Sequence, residues 1–276
     1  MNLVHKQVPK RPPAKSAMAE PPSRSRRSAP RKLVVWDFDW SLVDENSDTF
    51  VIHELEPSGE LWRRVRERRR EWSDEWTQLM DWSAGELHAL GKREADIRRV
   101  IASLPVLDGA LGAVERARAA GCTQRILSDA NTVYISHLLA TRPELGRAIS
   151  AVETNRAEFD GSGRLRISAH QQGAPHRCPR CPPNLCKGRV LSRWLVEEAP
   201  SVCVYVGDGH GDFCAAVALR PTDVLLARRE PHAALLDACR EQPALVRARV
   251  VEWGGDADPH AADLLDGMRR ALGEAA

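Results

Sequence analysis

The sequence predicts an α/β protein: a doubly wound, Rossmann-like parallel sheet with a small helical cap inserted after the first strand, and a β-hairpin leading into a Cys-rich loop. Three observations carry this. Short apolar runs recur along the chain with helical periods between them. Several runs end on acidic, Gly or Ser residues, where open α/β sheets bind their ligands. The segment 45–104 has helical spacing and few strand signals, so it reads as an insertion.

Taken in order, 33–36 (Leu33, Val34, Val35, Trp36) is an unbroken apolar run of the kind a strand buried on both faces shows, and it stops at Asp37. Similar runs lie at 124–127, 202–206, 224–227 and 247–251. Helical periods lie at 111–120, 132–140, 188–198, 212–219 and 231–240. Within the insertion, Leu61/Val65, Trp72/Trp76/Leu79/Met80, Leu87/Leu90 and Ile97/Val100/Ile101/Leu104 keep helical spacing. Its tryptophans (62, 72, 76 and 82) read as core packing, with an aromatic cage for a cation as the alternative. The run 63–70 reads as a solvated, charged helix face. The stretch 153–186 reads as irregular, with a hairpin turn at Asp160-Gly161-Ser162-Gly163 and a Pro/Cys-rich loop after it. The expected organisation is a basic, disordered tail over 1–32, an α/β core over 33–44 and 105–276, and the cap over 45–104.

Composition narrows the function classes. An apolar fraction of 43% and a mean hydropathy of -0.40 are those of a soluble chain, with no run of the roughly 18 apolar residues a membrane helix needs. Nine Lys and Arg stand in residues 1–32 against Glu20, so with a total charge of +2 the remainder is acidic. An acidic folded part argues against nucleic acid as a partner, although a basic tail of this kind is compatible with one. The seven cysteines are an odd number without a disulfide-framework spacing, which fits a reducing, cytoplasmic setting. Organelle targeting by the basic tail is the other reading.

The chemistry is expected where strands end or helices begin. Asp37 and Asp39 are two carboxylates at i and i+2, able to flank one hard cation while one of them attacks phosphorus. An incidental acidic turn is the alternative. Ser128 and Asp129 follow 124–127 and precede a helix, where a hydroxyl and free amides form a phosphate cradle; read alone, they are a plain helix cap. Lys187 opens a helix against its dipole, a mild conflict that a phosphate would resolve and a surface position would not need to. In Gly207-Asp208-Gly209-His210-Gly211-Asp212, glycines allow a tight turn that puts Asp208 near Asp37; Asp208 completes the metal's ligands and Asp212 orients Lys187 or a water. His210 is expected to face solvent.

This constellation resembles the haloacid dehalogenase superfamily: Asp-x-Asp, a Ser after the second core strand, a Lys, then Gly-Asp-Gly-x-x-Asp. In detail, the runs from Asp37 to Asp48, Ser128 to Asn131, Cys178 to Lys187 and Gly207 to Cys214 are similar to the phosphoethanolamine/phosphocholine phosphatase family. Gly209-His210-Gly211-Asp212 and Pro182-Pro183-Asn184-Leu185-Cys186-Lys187-Gly188 lean towards its plant-type branch, which is related to phosphate-starvation-induced pyrophosphatases. The resemblance implies Asp37 as nucleophile and Asp39 as general acid/base. It implies Mg²⁺ held by Asp37, Asp39 and Asp208, and substrate contacts from Asp48 and Asp129, joined by Ser128 and Lys187, with Asp212 and Asn131 in support. Trp40 stands where the family usually has a charged residue and Ser41 where Thr is usual, and Trp40 bears on which substrate enters.

The expected function is Mg²⁺-dependent hydrolysis of small phosphomonoesters, phosphoethanolamine or phosphocholine, through an aspartyl-phosphate. Pyrophosphate is the alternative substrate and thiamine monophosphate a more distant one. From other classes come a non-catalytic phospho-accepting domain and a zinc-binding module. For the latter, His176, Cys178, Cys181 and Cys186 have metal-ligand spacing. The default is a reduced loop, since a zinc site normally needs a second, well-separated ligand pair.

Overall fold

The structure, a computed structural model, describes residues 31–71, 75–173, 176–255 and 261–273. The tail expected over 1–32 lies outside the described residues except for Arg31 and Lys32, and Trp72 of the cap also lies outside them. Strand β1 (Lys32–Trp36) is followed by α1 (Ser47–Leu55), α2 (Glu60–Arg69), α3 (Trp76–Ala89) and α4 (Glu94–Ala102). Then come α5 (Asp108–Ala119), β2 (Thr123–Asn131), α6 (Thr132–Thr141), α7 (Pro143–Gly146), β3 (Ile149–Phe159) and β4 (Leu165–Ser168). The chain continues with α8 (Lys187–Glu198), β5 (Val202–Gly207), α9 (Phe213–Ala218), β6 (Val224–Arg228), α10 (Ala234–Glu241), β7 (Arg249–Trp253) and α11 (Ala262–Ala271).

The strands form one seven-stranded sheet in the order β4-β3-β2-β1-β5-β6-β7, parallel except for the antiparallel pair β3–β4. Apolar residues on alternate positions serve the two faces. Val34, Trp36, Ile126, Val204 and Val206 join one core cluster, whereas Leu33, Val35, Leu127, Cys203 and Tyr205 join the other. Helices cover both faces, which is why these strands read as unbroken apolar runs. Trp36 is buried whole because its indole N–H donates to Gln124 Oε1 at 3.0 Å, and the Gln124 amide in turn donates to the Val114 carbonyl.

Helices α1 to α4 rise from the loop after β1 and lean on the β3–β4 hairpin. Asp81 on α3 accepts from the Ile167 amide at 2.8 Å and pairs with Arg164 at 3.0 Å. Trp62, Trp76 and Trp82 pack against the larger core cluster, with Arg69 over the Trp76 ring and Arg64 and Arg68 over Trp82. The basic run 63–70 is therefore more than a solvated face: part of it covers tryptophan rings.

The structure differs from the sequence reading in three places. The second strand continues through Ser128 and Asp129 to Asn131, so the cap of α6 is Asn131, whose side chain accepts from the Tyr134 amide. Part of the stretch read as irregular is β3, a strand whose residues are mostly half-buried or exposed because only the short β4 lies outside it in the sheet. Its polar side chains hide the signal that the central strands carry. The sequence reading did not pick out α11, which packs on β6 and β7 with Gly267 set against Leu226 and Val251.

Candidate active site

The order of strands reverses at β1, whose neighbours are β2 and β5. At such a switch point the loops leaving adjacent strands diverge and open a crevice at the carboxyl edge. Asp37, Ser128 and Asp208 all lie at that edge, with Asp37 tied to it by its amide donating to the Val206 carbonyl at 2.8 Å. They line a cleft of about 160 Å³ together with Asp39, Trp40, Asn46, Asp129, Lys187 and Asp212. The turn between Asp208 and Asp212 closes tightly only because of its glycines. A Cβ on Gly207 would meet Asp212 Oδ2 at 2.6 Å, and one on Gly211 would meet Asp129 Oδ2 at 2.9 Å.

Lys187, the first residue of α8, is buried and its Nζ lies 2.9 Å from Asp37 Oδ1, 2.8 Å from Asp212 Oδ1 and 3.7 Å from Asp129 Oδ2. Burial alone would lower its pKa, but Asp212 and Asp37 outweigh burial and hold it well above its ordinary value. Asp212 is saturated: Lys187 and the Tyr205 hydroxyl donate to Oδ1, and the Asp208 and Gly209 amides donate to Oδ2. It therefore organises the turn and the lysine and has no lone pair directed elsewhere.

The other carboxylates lack such company. Burial pushes Asp37 well above the usual range, with Asp212 adding to the effect and Lys187 opposing it. Asp208 is pushed up to about 8 by burial and Asp212, although Lys187 and the Ser41 hydroxyl, which donates to it at 3.1 Å, act against this. Asp39 is raised by burial to about 6, held down in part by the Ser47 amide that donates to it at 2.9 Å. Asn46 also donates to Asp39, at 3.2 Å, and caps α1 with its own side-chain oxygen. Asp48, in the first turn of α1, is raised to about 7 by burial and Asp39, and accepts from the Trp76 indole at 2.8 Å.

Sequence reasoning missed several supports, because each reaches across a long separation. Asn184, from the Cys-rich loop, donates to Asp129 Oδ1 at 2.8 Å, and Asn155 on β3 donates to the Asp129 carbonyl at 2.6 Å. Trp40 adopts a left-handed backbone (φ 56°), its ring stacks on His232 at 3.9 Å, and Arg228 donates to its carbonyl at 2.6 Å while pairing with Asp44. A bulky residue there carries strain that these contacts must offset. Ser128 accepts from the Ala130 amide within the strand's end, so the expected helix-end cradle is not at Ser128; α6 starts four residues later. Asn131 leaves its side-chain N–H₂ buried without a partner.

Two groups of metal-competent side chains emerge among the described residues. Carboxylate oxygens of Asp37, Asp208 and Asp212 lie within 4.8 Å of one another; with Asp212 saturated, Asp37 and Asp208 are the hard-oxygen members left to meet a divalent cation. The Asp39 carboxylate is outside this group, engaged by Asn46 and Ser47. In the second group, Sγ atoms of Cys178, Cys181, Cys186 and Cys214 lie within the same limit. His176 is not among these four, and its Nε2 lies 2.9 Å from the Pro182 carbonyl and 3.8 Å from Cys181 Sγ. The expected set of His176, Cys178, Cys181 and Cys186 shares its three cysteines with this group, to which the fold adds Cys214. Cys214 had no local signal, being 28 residues beyond Cys186.

Comparison with known proteins places the chain in a family of phosphatases. A family profile described as Putative Phosphatase matches residues 32–266. Inorganic pyrophosphatase 2 of Arabidopsis thaliana is 33% identical over 227 residues, covering 80% of this chain and 78% of its own. The phosphoethanolamine/phosphocholine phosphatase of Homo sapiens is 34% identical over 244 residues, covering 84% and 88%. Among solved structures, a phospho-aspartyl intermediate analogue of phosphoserine phosphatase has the same fold, with a TM-score of 0.51 at 15% identity, over 80% of this chain and 94% of that one.

Proposed function

Because this chain belongs to the Putative Phosphatase family, within the haloacid dehalogenase superfamily, we propose that it hydrolyses phosphomonoesters of small cationic alcohols, phosphocholine and phosphoethanolamine, with Asp37 as nucleophile. That it is a phosphatase acting on small phosphoesters follows from the family itself. The substrate class rests on one observation. Asp37, Asp39, Asp129, Asp208 and Asp212 line the cleft, and Lys187 is the only cation among its described lining residues. A second anionic group on the substrate would add to that imbalance, whereas an ammonium group near Asp129 relieves it. Buried Asp48, which feels the charges of Asp39 and Asp129, adds to the same field.

The residues divide the work. Asp37 attacks phosphorus in line, forming a carboxyl–phosphate bond as the bond to the leaving oxygen breaks. Lys187 offsets charge on Asp37 and on the phosphate oxygens, and the Ser128 hydroxyl donates to one of them. Asp39, near half-protonated at about pH 6, gives a proton to the leaving alcohol, then takes one from the water that cleaves the acyl-phosphate. Asp212 holds Lys187 and the Asp208 turn in place. The carboxylates of Asp37 and Asp208 would hold Mg²⁺, with Asp39 in the same cleft. When bound, such an ion offsets the repulsion between a carboxylate and a phosphate.

The test is phosphate release with Mg²⁺ from phosphocholine, phosphoethanolamine, pyrophosphate and thiamine monophosphate. The two cationic monoesters are expected to give the highest kcat/KM. Preference for pyrophosphate would overturn the substrate assignment while leaving the phosphatase standing. Full turnover by Asp37→Asn would overturn the mechanism.

A further inference from the structure

We propose that Cys178, Cys181, Cys186 and Cys214 hold one structural Zn²⁺ that ties the loop before Lys187 to the start of α9. The four sulfurs converge within 4.8 Å of one another. A single tetrahedral zinc with Zn–S bonds of about 2.3 Å sets its sulfurs about 3.8 Å apart, within that limit. Iron–sulfur clusters spread their thiolates over several metal atoms and need wider spacing. An all-sulfur, four-ligand set is closed, which marks a structural site rather than a catalytic one. The three loop cysteines follow Cys-x2-Cys-x4-Cys, and Cys214 supplies the distant ligand that such spacing lacks by itself.

Packing around the cluster supports the assignment. The Gly188 amide donates to Cys214 Sγ at 3.1 Å, as amides do around metal-bound thiolates. A Cβ on Gly188 would meet the Cys214 carbonyl oxygen at 2.4 Å, so the two segments approach this closely only with glycine there. Between β4 and α8 the described residues form no helix or strand, and Leu185 and Cys186 are its buried apolar members. A loop of that length seldom holds one conformation without a cross-link. Binding replaces four S–H bonds with four S–Zn bonds and releases four protons, leaving a doubly negative centre on a loop that also carries Arg177 and Arg180. Cys186 precedes Lys187 and Cys214 lies two residues past Asp212, so the metal would clamp both halves of the Lys187–Asp212 pair. The site stands or falls independently of the substrate assignment.

The experiment is elemental analysis of the full chain, purified with a thiol reductant and washed with enough EDTA to remove Mg²⁺-dependent activity. About one zinc per chain is expected to survive the wash. Cys214→Ser and Cys181→Ser are expected to lose it, while Cys239→Ser, outside the group of four, keeps it. If the serine variants do not fold, Co²⁺ exchanged into the wild type is to show the strong thiolate-to-cobalt absorption of a four-sulfur site. Absence of zinc, iron in its place, disulfide mass loss among these cysteines, a cobalt spectrum without thiolate ligands, or zinc unchanged by Cys214→Ser would each overturn the proposal.

Discussion

Two clusters built from the same pair of chain segments differ in almost every chemical respect. Around Lys187 and Asp212, hard carboxylate oxygens face a cleft; one turn away, sulfurs of the adjacent Cys186 and Cys214 face one another. The oxygens exceed the local positive charge and are pushed towards protonation by burial, so that site is built for an exchangeable hard cation and a phosphate. The sulfurs form a closed set suited to a soft, permanent ion. The comparison teaches that reactivity here goes with unbalanced charge, and fixity with saturated ligands. Asp212 makes the same point within the carboxylates: with all its lone pairs engaged it holds its neighbours, while Asp37 beside it is left reactive.

The sharpest way to break the comparison is Asp37→Asn, expected to abolish phosphate release in a steady-state assay while leaving the metal content of the cysteine cluster unchanged. Asp39→Asn comes next. Loss of a proton donor and acceptor is expected to lower kcat by about 10²–10⁴-fold with little change in KM. An equal effect on KM would assign Asp39 to binding instead. Asp48→Asn removes a buried carboxyl that feels Asp39 and Asp129. It is expected to raise KM for phosphocholine about tenfold, or ~1.4 kcal/mol, and to leave pyrophosphate unchanged or improved. A uniform change across substrates would make Asp48 structural.

The smallest expected effect is on stability. Asp39, Asp48 and Asp208 titrate at about 6, 7 and 8 in the fold, above the ordinary carboxyl value. Between the ordinary value and those, the folded chain binds more protons than the unfolded one, so stability falls as pH rises through that window. In EDTA, Tm is expected to drop on the order of a few degrees from pH about 5.5 to 8.5, and added Mg²⁺ to reverse most of the drop at the alkaline end. A Tm that climbs with pH in EDTA would mean that these carboxylates are already compensated within the chain.

By itself the sequence determined the α/β fold and the sheet edge where the chemistry gathers. Apolar runs such as 33–36 mark strands buried on both faces, and an acidic or Gly-rich residue after such a run must emerge at the carboxyl edge of the sheet. Asp37, Ser128 and Asp208 were legible for that local reason, and Asp48 and Asp129 through family resemblance. Tertiary structure alone decided which groups meet. Lys187 is buried among three carboxylates instead of lying on the surface, Asn184 crosses from a loop to steady Asp129, and Arg228 secures the strained backbone of Trp40. It also brought Cys214 to the three loop cysteines. None of these pairings has a period or a spacing in the chain. They arise where distant segments pack together, as α8 and α9 do across Gly188, and local pattern does not encode such contacts.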